Sequence, residues 1–197
     1  MSDALLVIEL QNDLVHPSKC DQRGLAGALA RAVRDRGVLD KLAPVIEVCR
    51  ARGTPVIYLT KERHPSIRLP DHAPIYRAAS EPILVHETWG AQVVDAIAPT
   101  DADIVLPRFT SVDPSHGSSL WPTLQNLEVD TVMLAGVSTT LAVEGLARAA
   151  ANRGYRVVVL EDCCASVPDE WHRFSVENVL PLIAAVSTSE SLIDGHV

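Results

Sequence analysis

Six short aliphatic runs set the frame for this chain: Ala4–Leu10 (ALLVIEL), Pro55–Leu59 (PVIYL), Asp103–Leu106 (DIVL), Thr131–Ala135 (TVMLA), Arg156–Leu160 (RVVVL) and Ile183–Val186 (IAAV). Continuous apolar runs of this length are the signature of strands buried on both faces. Helical patterns lie between them. In Gly37–Arg52, Leu39, Leu42, Val45, Ile46 and Cys49 recur at helical spacing, and Gly53 follows as a stop. Leu141–Arg153 is rich in alanine and ends at Gly154, and Trp121–Leu127 is a short helix. Asp169–Leu180 begins after Pro168 and places Trp171, Phe174 and Val179 on its apolar side. Strands that alternate with helices predict βαβ units, right-handed crossovers and a mostly parallel sheet.

Aromatic residues make up only 4% of the chain, so the core must be built from Val, Leu, Ile and Ala. At 197 residues without repeats or a linker, the chain reads as a single domain spanning residues 1–197. The formal charge is -8 and the basic residues are scattered, which argues against nucleic acid as a partner. No apolar run reaches the ~18 residues of a membrane span, and a membrane partner is not expected. The N-terminus carries Asp3 and no basic leader, so a cytoplasmic location is expected. Cys20, Cys49, Cys163 and Cys164 form neither a CxxC pair nor a disulfide framework, and read as buried reduced thiols. Lys61–Thr88, with Pro65, Pro70, Pro74 and Pro82, breaks the rhythm and reads as an irregular lid or interface arm.

In an open α/β sheet, ligands bind beyond the carboxyl ends of the strands. That directs attention to Glu9–Asp13, Thr60–His64, Pro107–Ser119 and Gly136–Val143. None contains a dinucleotide or P-loop glycine pattern, and no cofactor is expected. Glu9 is a carboxylate in an otherwise apolar strand, where a charge is costly unless paired or functional. It is therefore either a general acid or base or half of a structural ion pair. Arg108 is its natural partner, offering a permanently charged fork that can also clamp an anion. Thr131–Ala135 runs into Gly136–Val143, a tight turn and then a helix N-terminus whose first N–H groups could bind an anion. Ser138, Thr139 and Thr140 could alternatively serve as caps there. Glu62 and His64, with His72 further on, have the residue types of metal ligands, but read better as solvated loop residues. No metal is expected.

The string VIELQNDL, the element His86–Ala91 and the run DTVMLAGVSTTLAVEGLARAAANRGYRVVVLEDCCAS resemble the isochorismatase-like, or cysteine hydrolase, superfamily over nearly the whole chain. The resemblance implies a three-layer α/β/α fold around a mostly parallel, six-stranded, Rossmann-like sheet. It also implies a non-proline cis peptide at Val137–Ser138 and a homodimer or homotetramer. Hydrolases of that family use an Asp, a Lys and a nucleophilic Cys. The matching positions here are Glu9, Arg108 (Leu106 in an alternative alignment) and Ala142, so all three depart from the pattern. The family's true isochorismatases also lack the cysteine, and protonate a vinyl ether from the Asp while water adds to the cation. Glu9 could imitate that acid one methylene further out, and a misplacement of about 1 Å can cost ~100-fold in rate.

The expectation is therefore a hydrolase of a small polar or anionic metabolite. Glu9 and Arg108 would be catalytic beside the Ala142 position, with Asn12, Trp89, Val137, Ser138 and Thr139 at the substrate. One alternative is a catalytically silent relative that binds a small molecule or acts through assembly. A second is a C–N hydrolase of the amidase kind. An open pocket with Glu9 and Arg108 turned inward favours chemistry; a sealed pair favours structure.

Overall fold

In the computed structural model, residues 2–67, 74–77, 83–109 and 111–196 are described. The strands β1 (Asp3–Ile8), β2 (Val56–Lys61), β3 (Ile104–Arg108), β4 (Thr131–Val137), β5 (Arg156–Ala165) and β6 (Ala185–Ser187) form one sheet in the order β3-β2-β1-β4-β5-β6. Every neighbouring pair is parallel. The helices are α1 (Asn12–Val15), α2 (Leu25–Arg36), α3 (Val38–Ala51), α4 (Pro74–Arg77), α5 (Leu120–Asn126), α6 (Glu144–Ala151), α7 (Asp169–Phe174) and α8 (Ser189–Ile193).

The alternation of side chains along β1 builds the three layers. Leu5 and Val7 face Leu29 and Val33 of α2, Leu42 and Ile46 of α3, and Leu192 of α8. Ala4, Leu6 and Ile8 face Leu120 and Leu124 of α5, and Leu146, Ala147 and Ala150 of α6. The inner strands β1, β2 and β4 and most of β5 thus bury both faces, which is why their aliphatic runs are continuous, whereas the edge strands β3 and β6 are partly exposed, with Val105 at 43%.

The chain winds outward from β1 in both directions, through β2 and β3 on one side and β4 to β6 on the other. The direction switches between β1 and β4, where loops diverge and a crevice opens. Gly136 makes that closeness possible. It pairs in register with Ile8, has φ +127°, and a Cβ there would lie 2.1 Å from the Ile8 carbonyl oxygen. The Val137–Ser138 peptide that follows is cis.

Two expectations need correction, and one element carries no signal read from the sequence. The helix predicted over Asp169–Leu180 is helical only to Phe174, then widens into a π turn at Ser175–Val179 and tightens into a 3₁₀ turn at Leu180–Leu182. Its buried residues are His172, Ser175 and Leu180, while Trp171 and Phe174 are exposed. The helix predicted over Leu141–Arg153 starts as a π turn, Thr139–Val143. Finally, α2 was not read from the sequence at all. Within Lys61–Thr88, residues 68–73 and 78–82 lie outside the described residues, and Arg63 pairs with Val85 in a parallel bridge.

Candidate active site

A cavity of about 460 Å³ opens at the switch point. Glu9 after β1, Lys61 and Arg63 at the end of β2, and Ser138, Leu141 and Ala142 after β4 form one part of its wall. Gln22 to Ala26 and Leu29, at the entry to α2, form another, with Leu14, Leu84 and Val112.

Glu9 leaves the strand in the left-handed region, at φ 52°. A non-glycine residue held there costs about 1–3 kcal/mol, and such residues concentrate at functional sites. Its amide still donates to the Leu59 carbonyl at 3.0 Å, so the side chain turns while the backbone stays anchored to β2. The carboxylate accepts a hydrogen bond from Arg108 Nη2. Arg108 ends β3, two strands away, and crosses beneath the end of β2, where Nη1 is 3.4 Å from the Thr60 carbonyl. Its side chain is 1% exposed, against 12% for Glu9. The expected pair therefore forms, but Arg108 backs Glu9 from behind and is absent from the cavity wall. Arg108 Nε, Thr60 Oγ1 and Asn12 Oδ1 are buried without a hydrogen-bond partner among the described residues.

Lys61 is the residue that sequence reasoning missed. Burial holds its ammonium below the usual lysine range, Arg108 and Arg63 push the same way, and Glu9 opposes them. The neighbouring Gln11, Asn12 and Asp13 are construction. Gln11 Nε2 donates to the carbonyls of Lys61 (2.9 Å) and Ala91 (2.6 Å), and Oε1 accepts from the Lys61 amide (2.9 Å). Asn12 Nδ2 donates to the Trp89 carbonyl at 2.9 Å. Asp13 pairs with Lys19 at 2.9 Å and accepts from the Leu84 amide at 2.8 Å. A Cβ on Gly90 would lie 2.0 Å from that carboxylate. The Trp89-Gly90-Ala91 element thus docks on the turn after β1.

The five positions expected at the substrate divide. Ser138 lines the cavity. Val137 is fully buried in the core. Asn12 lies behind the wall, and Trp89 is half-exposed at the surface, edge-on to His16 with centroids 4.9 Å apart. Thr139 is buried, with Oγ1 2.8 Å from His172 Nδ1. Thr140 Oγ1 lies 2.9 Å from Ser166 Oγ. Neither threonine nor Ser138 caps the following turn with its side chain, which corrects the capping alternative.

Ala142 is on the wall with a methyl group where the resemblance places a thiol. Cys163 and Cys164 are fully buried and do not line the cavity. Burial pushes the Cys164 thiol up to about 12 and raises Cys163 as well, so both are inert at neutral pH. Glu62 bonds His86 Nδ1. His64 instead meets the rings of His86 and Phe109, each with centroids 5.6 Å away. Among the described residues no group of three or more His, Cys, Asp or Glu side chains is placed to hold a metal, and His72 lies outside them.

The family profile for the isochorismatase domain matches residues 3–191. The chain belongs to the isochorismatase family. It is 28% identical over 161 residues to an uncharacterized isochorismatase family protein of Escherichia coli, covering 80% of this chain and 82% of that one. It is 26% identical over 211 residues to a ureidoacrylate amidohydrolase of Methylobacterium radiotolerans, covering 93% and 75%. An isochorismatase family protein of Desulfovibrio vulgaris superposes with a TM-score of 0.83 at 21% identity, over 98% of this chain and 97% of that one. This last likeness concerns the fold.

Proposed function

We propose that this isochorismatase-family protein hydrolyses a small polar or anionic metabolite without a cysteine nucleophile. The observation that carries this reading is Glu9, a left-handed strand-end carboxylate on the wall of an open cavity, backed by a sealed arginine and flanked by Lys61. Water attacks the substrate carbon, Glu9 takes its proton, and the bond to the leaving heteroatom breaks as that atom receives the proton back. Lys61, close enough to Glu9 to feel its charge, offsets negative charge that develops on the substrate. Arg108 acts through Glu9, fixing its orientation.

A specific observation favours a C–N bond as the target: a relative over most of the chain is a ureidoacrylate amidohydrolase. Another favours a silent, ligand-binding relative. The Glu9 carboxylate already has an arginine partner, and Ala142 supplies no nucleophile. Trp171, Phe174 and Leu182 are exposed at 58%, 62% and 81%, which supports assembly as a homodimer or homotetramer.

The test is a screen of amides, ureido acids and vinyl ethers with wild type and Glu9→Gln. Loss of a general acid–base group lowers turnover by roughly 100- to 10,000-fold. Equal activity in the two proteins removes Glu9 from the chemistry. A folded wild type that hydrolyses nothing in the screen favours the silent reading.

A further inference from the structure

The cavity carries a charge of the wrong sign for its protein. The chain is at -8 overall. Yet the charged residues described on the cavity wall are Arg23, Lys61 and Arg63 against a single acid, Glu9. Glu9 is already neutralised by Arg108, which lies behind the wall. Arg63 and Arg23 make no ion pair or side-chain hydrogen bond with any described residue. Leaving Lys61 out of the count entirely, two guanidinium groups without an ion-pair partner among the described residues still border the space.

Arg63 is held where it is by its backbone. Its amide donates to the Leu84 carbonyl at 2.7 Å, and its carbonyl accepts from the His86 amide at 3.1 Å. Burial chiefly lowers the neighbouring Lys61, and the charges of Arg108 and Arg63 add to it. Crowding cations in a concave, half-buried space is unfavourable until an anion relieves it, and the low-dielectric walls focus the field on such a ligand. A guanidinium fork matches a planar carboxylate with two parallel hydrogen bonds. Gln22 and Ser138 add uncharged polar groups, and most of the remaining side chains on the wall are aliphatic, among them Leu14, Leu25, Leu29, Leu84, Val112 and Leu141.

We propose that the cavity is a carboxylate site, with Arg63 as its anchor and Arg23 as a second cation at the mouth, for a ligand whose body is compact and apolar. This rests on the reading of the cavity as the substrate site and names the substrate class. Glu9 faces the scissile bond while the carboxylate sits among the arginines, so the ligand is oriented by opposite charges at two parts of the wall.

The test is binding without turnover. Benzoate and benzamide have the same shape and differ in charge, and inorganic phosphate controls for any anion. Calorimetric titration of the full chain at low salt should show saturable benzoate binding, weaker as salt rises. Arg63→Gln, which leaves the backbone bridge intact, should weaken benzoate by about 10-fold or more. Arg23→Gln, at an exposed position, should weaken it by roughly 3-fold. Benzamide should not bind measurably. Equal binding of benzoate and benzamide overturns the proposal, as do absent benzoate binding, tighter binding of phosphate than benzoate, or an unchanged Arg63→Gln titration. No hydrolysis is involved, so a failure here leaves the Glu9 chemistry standing with an uncharged substrate. An inactive enzyme, conversely, leaves the binding result intact.

Discussion

Two arginine–carboxylate pairs sit at opposite ends of the same sheet and are mirror images in burial. At the amino end, Asp103 precedes β3 and is 3% exposed, while its partner Arg50, from the last turn of α3, is 22% exposed. At the carboxyl end the arginine is sealed and the carboxylate, Glu9, faces the cavity. The amino-end pair is saturated. Asp103 takes Arg50 Nη2 at 2.5 Å, the Thr100 amide at 2.7 Å and the Thr100 hydroxyl at 2.9 Å. Arg50 also gives Nε to Asp103 Oδ1 and Nη1 to Glu47, while Nη2 further reaches the Tyr58 hydroxyl and the Ala98 carbonyl. The carboxyl-end pair is under-bonded among the described residues: Arg108 Nε is orphaned and the Glu9 carboxylate has no second hydrogen bond. Saturation on all sides is what a structural pair needs. A carboxylate that must meet a ligand keeps an oxygen free.

The largest effect should come from breaking the two pairs by the same operation. Glu9→Ala leaves a sealed guanidinium without its counter-charge and should cost about 3–5 kcal/mol in urea unfolding. Asp103→Ala leaves an arginine that is partly solvated and has other acceptors, and should cost about 1–2 kcal/mol. Glu9→Gln keeps an acceptor for Arg108 and should fall between them. Equal losses for the two alanine variants would dissolve the distinction drawn between the ends.

The carboxyl-end pair was legible before the structure, because a charge inside VIELQNDL must find a partner and Arg108 follows another of the aliphatic runs, at the same edge of the sheet. The inner strands were legible for the same reason: β1, β2, β4 and most of β5 bury both faces and write unbroken aliphatic runs, while the shorter runs DIVL and IAAV belong to the partly exposed edge strands β3 and β6. The helix α2 was not, because its buried residues Gly27, Leu29, Ala30 and Val33 are mostly small, and arginines crowd its second half. Gly27 is required there by contact, since a Cβ would lie 2.0 Å from the Gln22 carbonyl oxygen. Trp89 was read as touching the substrate when its element is bound to the turn after β1 through Gly90, Asn12 and Gln11. Lys61 and Arg63 carried no site signal of their own, because nothing in TKERH tells that the end of β2 borders a cavity. A sequence reports which residues avoid water, whereas facing a common cavity depends on loops that carry no periodic signal.

Acid should act on the amino-end pair in a defined direction. Burial pushes the Asp103 carboxyl up, but its bonds to Arg50 and Thr100 outweigh that and leave it below the ordinary 3.8. A carboxyl lowered in the folded state contributes stability that is complete above 3.8 and lost as pH falls through the folded value. The difference in unfolding free energy between wild type and Asp103→Asn should therefore shrink as pH falls from 5 toward 2.5, starting from about 1 kcal/mol. A difference that grows on acidification would mean that Asp103 is not held ionised by its partners.

The smallest effect should sit at the turn after β4, where the carboxyl end has a buried group hydrogen-bonded on one side and facing a carboxylate on the other. His172 is 1% exposed, with Nδ1 2.8 Å from Thr139 Oγ1 and Nε2 3.6 Å from the Glu161 carboxylate. Burial lowers its basicity and Arg36 adds to this, while Glu161 and Asp169 oppose them. A histidine lowered in the folded state resists protonation, so the unfolded chain binds the extra proton first. Stability should be complete above about 6.5 and decline as pH falls through the lower folded value. His172→Gln should lose about 1 kcal/mol at pH 7.5 through the Thr139 bond, and should lack that acid-side decline. Melting temperatures of both proteins between pH 7.5 and 5 read the two quantities separately. If the wild-type decline persists undiminished in His172→Gln, the titrating group lies elsewhere, and the turn after β4 is held by packing rather than by this histidine.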